Sequence, residues 1–116
     1  MSPRDLALLE HMLEYCESIE AAVSRFGNSV EVFCADKAYH DLVCFYLLQI
    51  GELAGLLSSE LRSDSAEEME WGQMKGMRNI VAHHYGSLNL TIVWNTVIND
   101  IPRLKAFCAG RLAVND

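Results

Sequence analysis

Apolar residues recur every three or four positions along most of the chain, the period of helices that bury one stripe. Leu6, Leu9, Leu13, Cys16, Ile19, Val23 and Phe26 form the first stripe. Ser2-Pro3-Arg4-Asp5 starts that helix: Ser2 serves as cap, Pro3 fits the first helical position and Asp5 is placed to return a bond to the cap. Gly27-Asn28 ends it. Glu10, Glu14, Glu17 and Glu20 run down another face and read as solvated surface. Ser29 to Phe33 is a short apolar connector whose form the pattern leaves open, after which Asp36 caps a second helix predicted to run to about Leu61.

The second helix is apolar on most sides. Leu42, Val43, Phe45, Tyr46, Leu48, Ile50, Leu53, Leu56 and Leu57 cover too wide an arc for a surface helix. It therefore lies at the centre of a bundle or faces both the core and a second subunit. Gly51 and Gly55 leave a smooth strip on it, where another helix can approach closely at a cost of about 1 kcal/mol of propensity each. The polar stretch from Arg62 to Glu70 reads as a linking turn into a third helix that runs to Gly86. Ser87 or Asn89 then caps a last helix carrying Leu90, Val93, Trp94, Val97, Ile101, Leu104 and Cys108. Pro102 inside it cannot donate to Ile98, so the helix should kink or restart there. With no strand-period segment and no repeat, the pattern predicts an all-α fold: an antiparallel four-helix bundle, with one or two short extra helices, in a single domain over 1–116.

Charge narrows the function. Nine basic against sixteen acidic residues give a net charge of −7, which excludes a general nucleic-acid binder gripping long runs of phosphate. Any RNA contact must be local. Arg103, Lys105 and Arg111 crowd the chain's end, where they complement a helix dipole or add to an RNA-facing surface. The run of 18 or so apolar residues that a membrane span requires is missing, as is a charged-then-apolar leader, so the sequence reads as soluble and cytoplasmic. Cys16, Cys34, Cys44 and Cys108 lack CxxC spacing and read as buried free thiols.

Reactive groups concentrate in Met77-Arg78-Asn79-Ile80-Val81-Ala82-His83-His84-Tyr85-Gly86. Arg78 offers a planar fork of donors suited to phosphate, and His83 is a side chain able to exchange a proton near neutral pH. On a regular helix Tyr85 falls about 20° from Arg78, whereas His83 lies about 140° away. Two arrangements would bring Arg78 and His83 to one phosphate: a helix that loosens before Gly86, or, preferred here, a facing copy that supplies the missing group across a two-fold axis. Asn79, one turn before His83, is placed to orient its ring. Neither a Ser-His-Asp order, a His-Glu-x-x-His nor a carboxylate cluster with metal spacing occurs, and His83 and His84 point about 100° apart on a helix. The chemistry left is metal-independent acid and base catalysis: a base removes the ribose 2′-OH proton while a cation stabilises charge on the phosphoryl oxygens. His11 and His40 read as packing residues, and His84 matches no position of this scheme.

Arg78, four residues, His83, one residue, Tyr85, with Asn79 directly after the Arg, resembles the signature of HepT-like toxins in the HEPN superfamily. Ile50-Gly51-Glu52-Leu53-Ala54, Trp71, Gly76-Met77, Val93-Trp94 and Ile101-Pro102-Arg103-Leu104 are similar to the family's flanking segments. His84 stands where family members commonly carry Asp, and two adjacent imidazoles disfavour each other's charged form. The resemblance implies a HEPN-like bundle and a homodimeric endoribonuclease toxin. In it Arg78, Asn79 and His83 act on RNA, and Glu52, which from the residues alone reads equally as exposed and inert, lies near the cleft; Tyr85 is placed to contact phosphate or donate a proton, and His84, outside the family pattern, is a further candidate for the cleft. It also implies a partner nucleotidyltransferase antitoxin that uses ATP and magnesium to place AMP on Tyr85; the chain itself takes no cofactor. The alternative is a non-catalytic HEPN subunit that binds a partner or substrate for a minimal nucleotidyltransferase.

Overall fold

Ser2 accepts the Asp5 amide at 3.1 Å and opens α1 (Pro3–Phe26), with Pro3 at its first position as the local pattern requires. The computed structural model describes residues 1–115. Gly27 ends α1 with φ +124°, the one residue at positive φ among those described, which an L side chain would strain to adopt. Leu9, Met12, Cys16, Ile19 and Ala22 are buried, while Leu6, Leu13 and Val23 flank them, so the buried stripe is centred slightly to one side of the predicted one. The glutamate row is exposed as expected.

The apolar connector is a helix of its own, α2 (Val30–Ala35), capped by Ser29. Its Phe33 is fully buried, 5.0 Å from the Tyr39 ring and 5.1 Å from Trp94 between centroids. α3 (Lys37–Leu56) starts on the Asp36 side chain, which accepts the Tyr39 amide at 3.2 Å. It ends five residues earlier than the sequence predicts. Leu57 turns extended, and Ser58 caps a separate short helix, α4 (Ser59–Asp64). The cause is distant in sequence: the buried Asp5 carboxylate accepts the Ser58 amide at 3.0 Å and its hydroxyl at 2.6 Å. Asp5 thus spends its acceptors chiefly on Ser58, where the sequence had it returning a bond to its own cap.

The turn after Asp64 hangs on Ser65, whose buried hydroxyl donates to the Leu61 carbonyl at 2.6 Å and accepts the Trp71 indole N–H at 2.9 Å. α5 (Trp71–His83) follows, then a single 3-10 turn over Tyr85–Ser87. Asn89 accepts two amides to start α6 (Leu90–Asn95). A π-helical stretch over Thr96–Asp100 leads into α7 (Ile101–Val114), with Pro102 in its first turn. The missing proline N–H makes the ladder widen and restart, as the sequence predicts.

α1, α3, α5 and the α6–α7 rod make the four-helix bundle, with α2 and α4 as the short extras. Asp5 ties the start of α1 to the end of α3, and the Tyr39 hydroxyl donates to the Gly27 carbonyl at 3.1 Å at the other end, so the two run antiparallel. Lys105 meets Glu20 at 2.7 Å, setting α7 against α1 in the same sense. Burial is uneven. α1 and α3 are lined with core residues, whereas Val81 is the one residue of α5 buried among those described. The motif helix is an edge helix.

Candidate active site

α5 is held to α3 at a point of close approach. A Cβ built on Gly51 would stand 2.4 Å from Arg78 Cβ, 2.9 Å from its Cγ and 3.2 Å from the Met74 carbonyl oxygen. No other residue type fits there without moving the helix. The smooth strip read from Gly51 and Gly55 is therefore occupied at Gly51, while nothing in the chain lies within 4 Å of a Cβ at Gly55.

That contact fixes where the Arg78 side chain goes. Its Nε lies 2.7 Å from Glu52 Oε1, and its Nη1 donates to Asn79 Oδ1 at 2.7 Å. The Nε–H is buried but is not aimed at the carboxylate well enough to bond, so the Glu52 contact is one of charge. Such a half-exposed pair contributes about 0 to 1 kcal/mol, which a phosphate can displace. Asn79 was expected to orient His83; it supports Arg78 instead, and among the described residues His83 has no hydrogen-bond partner.

α5 is regular through His83, its last residue, and His83 is exposed. Arg78 and His83 therefore stand about 140° apart around one helix and cannot close on the same phosphate within a regular α5. The helix does stop before Gly86: the His84 amide donates to Ile80 O at 2.8 Å, His84 leaves helical geometry at φ −132° and ψ 29°, and Tyr85 begins the 3-10 turn. Tyr85 is thus off the helix, which corrects the expectation that it extends the Arg78 face. Its ring is partly exposed and its hydroxyl donates to Asp41 on α3.

Asp41 is the residue that sequence reasoning missed. Lys37 pairs with its other oxygen, and His40 Nε2 lies 3.8 Å away. His40 is half-buried, its Nδ1 meeting the Phe33 carbonyl at 3.0 Å, in keeping with a packing role; His11 is instead exposed, near Glu14. The signal for Asp41 was its spacing. Eleven residues separate it from Glu52, three helical turns, so both carboxylates fall on one stripe of α3, about 16 Å apart. Phe45 and Leu56 share that stripe and are 50% and 51% exposed, large apolar side chains left uncovered beside the motif.

The rest of the surface offers phosphate little. Arg111 pairs with Asp64 at 2.8 Å and Glu68 at 3.2 Å, Lys105 with Glu20, and Arg103 donates to the Glu68 carbonyl at 2.9 Å. These cations staple α7 to the bundle rather than face RNA. Burial pushes the Cys16 and Cys108 thiols up to about 12 and Cys44 to about 11, so all three stay protonated, and Cys34 is partly exposed. No three His, Cys, Asp or Glu side chains among the described residues converge as metal ligands, and no described helix is long and apolar enough to cross a membrane. A cavity of about 470 Å³ opens on the other flank of α5, between Met74, Met77 and Ile80 and the Ile92, Asn95 and Asn99 side; none of Arg78, Asn79, His83 or Tyr85 lines it.

An all-α bundle with this polar motif on its edge helix defines the class, and comparison with known proteins supplies the family. The chain belongs to the ribonuclease HepT-like family, whose model matches residues 12–110. It is 33% identical over 97 residues to a protein of Caldanaerobacter subterraneus subsp. tengcongensis named "Putative RNase", an alignment covering 84% of each chain. It is 28% identical over 100 residues to the "Probable ribonuclease HepT" of Thermococcus cleftensis, covering 79% of this chain and 87% of that one. No solved structure matches it.

Proposed function

We propose that this chain is an endoribonuclease toxin that works in the cytoplasm as a homodimer and needs no metal ion. The observation that carries this reading is the pairing of Arg78, seated against Gly51 by a contact that tolerates no side chain, with an exposed and unpartnered His83 one and a half turns on. Because the two diverge around α5, a phosphate is gripped by Arg78 of one copy while His83 of the facing copy works on it. Phe45 and Leu56, uncovered on the α3 stripe beside the motif, supply apolar area for that dimer. His83 takes the 2′-OH proton, O2′ attacks the adjacent phosphorus, and Arg78 stabilises the charge on the phosphoryl oxygens. A donor across the phosphate protonates the departing 5′ oxygen, leaving a 2′,3′-cyclic phosphate and a 5′-hydroxyl. Relatives named as ribonucleases support the activity class.

Control rests on Tyr85. A nucleotidyltransferase antitoxin using ATP and magnesium places AMP on its hydroxyl: Oη attacks the α-phosphorus and loses its proton, pyrophosphate leaves, and the AMP phosphodiester then competes with RNA in the shared cleft for Arg78 of the facing copy. One observation favours the second reading, a non-catalytic HEPN subunit: in the single chain Arg78 is already engaged by Glu52. Incubation with RNA in EDTA separates the two. Fragments ending in cyclic phosphate are expected from a protein that sediments as a dimer; an RNA left intact by a folded dimer, with or without divalent ions, would leave only the subunit reading.

A further inference from the structure

α5 ends at His83, so where that imidazole stands depends on how the chain leaves the helix. Two groups govern the exit. The backbone makes one irregular residue, His84, and one 3-10 turn closed by the Ser87 amide on the His84 carbonyl at 3.0 Å. The side chain of Tyr85 then crosses to α3 and donates its hydroxyl to Asp41 Oδ1. Lys37 pairs with the other carboxylate oxygen from solvent, and Asp41 itself is held by its place on α3, which is anchored in the core by Tyr39, Val43 and Cys44. Val81 is buried and Leu88 packs against the core, but none of Ala82, His83, His84, Gly86 and Ser87 between them is buried, so packing fixes the ends of this segment and not its course. Among the described residues, the Tyr85–Asp41 bond is the one side-chain hydrogen bond between the turn and the rest of the bundle.

We propose that Asp41 is a positioning residue of the site: by accepting the Tyr85 hydroxyl it fixes the turn that follows α5, and through it the place of the His83 ring. The proposal rests on the reading of His83 as the acid–base group, and deepens it. A general base must stand within hydrogen-bond reach of the proton it takes, and a displacement of about 1 Å costs on the order of a hundredfold in rate. A group on the last residue of an edge helix needs such a tether. Asp41 does not touch substrate in this scheme.

The test is a set of variants with two readouts, RNA cleavage and the His83 ring resonances in a histidine-labelled NMR spectrum. Asp41→Ala removes the acceptor on an exposed-side helical position where alanine is the better helix former, so the fold is retained. It is expected to lower kcat by about tenfold to a hundredfold, with KM changed less than about twofold, and to shift the His83 signals. Asp41→Asn keeps an acceptor oxygen and is expected to restore most of both. Tyr85→Phe removes the donor, should shift the same signals the same way, and combined with Asp41→Ala should be no worse than Tyr85→Phe alone, because both break one link. Lys37→Ala should leave His83 where it is. The spectrum reads the tether even if the wild-type chain cleaves no RNA, which would fault the catalytic reading and not this one. His83 signals unmoved by Asp41→Ala, effects of Asp41→Ala and Tyr85→Phe that add, or an equal shift in Lys37→Ala, would each overturn the proposal.

Discussion

Arg78 rides directly over Gly51, with 2.4 Å between its Cβ and the position a Cβ on residue 51 would take. Gly51→Ala must push α5 away from α3. The expected cost is about 1 to 3 kcal/mol, the range for overpacking a close contact, read as a lower midpoint in urea unfolding. RNA cleavage should fall even at temperatures where the variant is fully folded, because Arg78 moves with its helix. Gly55→Ala, with open space around it within the chain, should stabilise the isolated helix slightly and is the matched control.

Asp5 couples α1 to the start of α4, and its titration gives stability a pH dependence. Burial by itself raises its pKa, but the hydroxyl and amide of Ser58 and the hydroxyl of Ser2 outweigh that and hold it below the ordinary carboxylate value. A depressed folded pKa means the folded state binds the proton less readily than the unfolded one. Its contribution is therefore complete above the unfolded value near 4 and is lost as pH falls through the folded value. Thermal midpoints should drop below about pH 4 in the wild type and less steeply in Asp5→Asn. Asp5→Ala should cost about 2 to 3 kcal/mol at neutral pH, since the Ser58 amide and hydroxyl both lose a charged acceptor.

If Tyr85 is the regulatory residue, the nucleotidyltransferase antitoxin with ATP and magnesium should add AMP to the wild-type chain and silence it. Intact mass reports the addition. Tyr85→Phe should gain no mass at that position and, where active, should stay active. Modification also removes the proton that Tyr85 gives to Asp41 and sets a phosphodiester against a carboxylate, so the modified side chain should leave α3. An equal mass gain in Tyr85→Phe would place the switch elsewhere.

Local signals were legible in the sequence because their causes are local. The Ser2 and Asp36 caps, the Gly27 stop and the restart at Pro102 each follow from one or two residues and are all present. The break after Leu56 was read through although Ser58 is a cap residue and does cap α4; the acceptor that also holds Ser58 out of α3, Asp5, lies 53 residues away and gives no local sign. The end of α5 was misplaced for a similar reason: Gly86 marked a stop, but Tyr85 leaves the helix earlier and reaches across to Asp41. At the site, Gly51 announced a close approach without saying that Arg78 makes it. Asn79 was assigned to His83 on helical spacing, and the neighbouring guanidinium claimed it.

The most direct measurement uses two inactive chains. Arg78→Ala and His83→Ala should each lose about a hundredfold or more of RNA cleavage while keeping the helical fold, the range for removing a general acid or base or a phosphate clamp. Co-expressed with different tags and isolated as a heterodimer, they rebuild one site from the intact Arg78 of one chain and the intact His83 of the other. About half of the wild-type rate per dimer is then expected, since one of two symmetric sites is whole. A well-folded heterodimer as inactive as its parents, or a His83→Ala homodimer that cleaves RNA at the wild-type rate, would contradict a cleft shared between two facing copies.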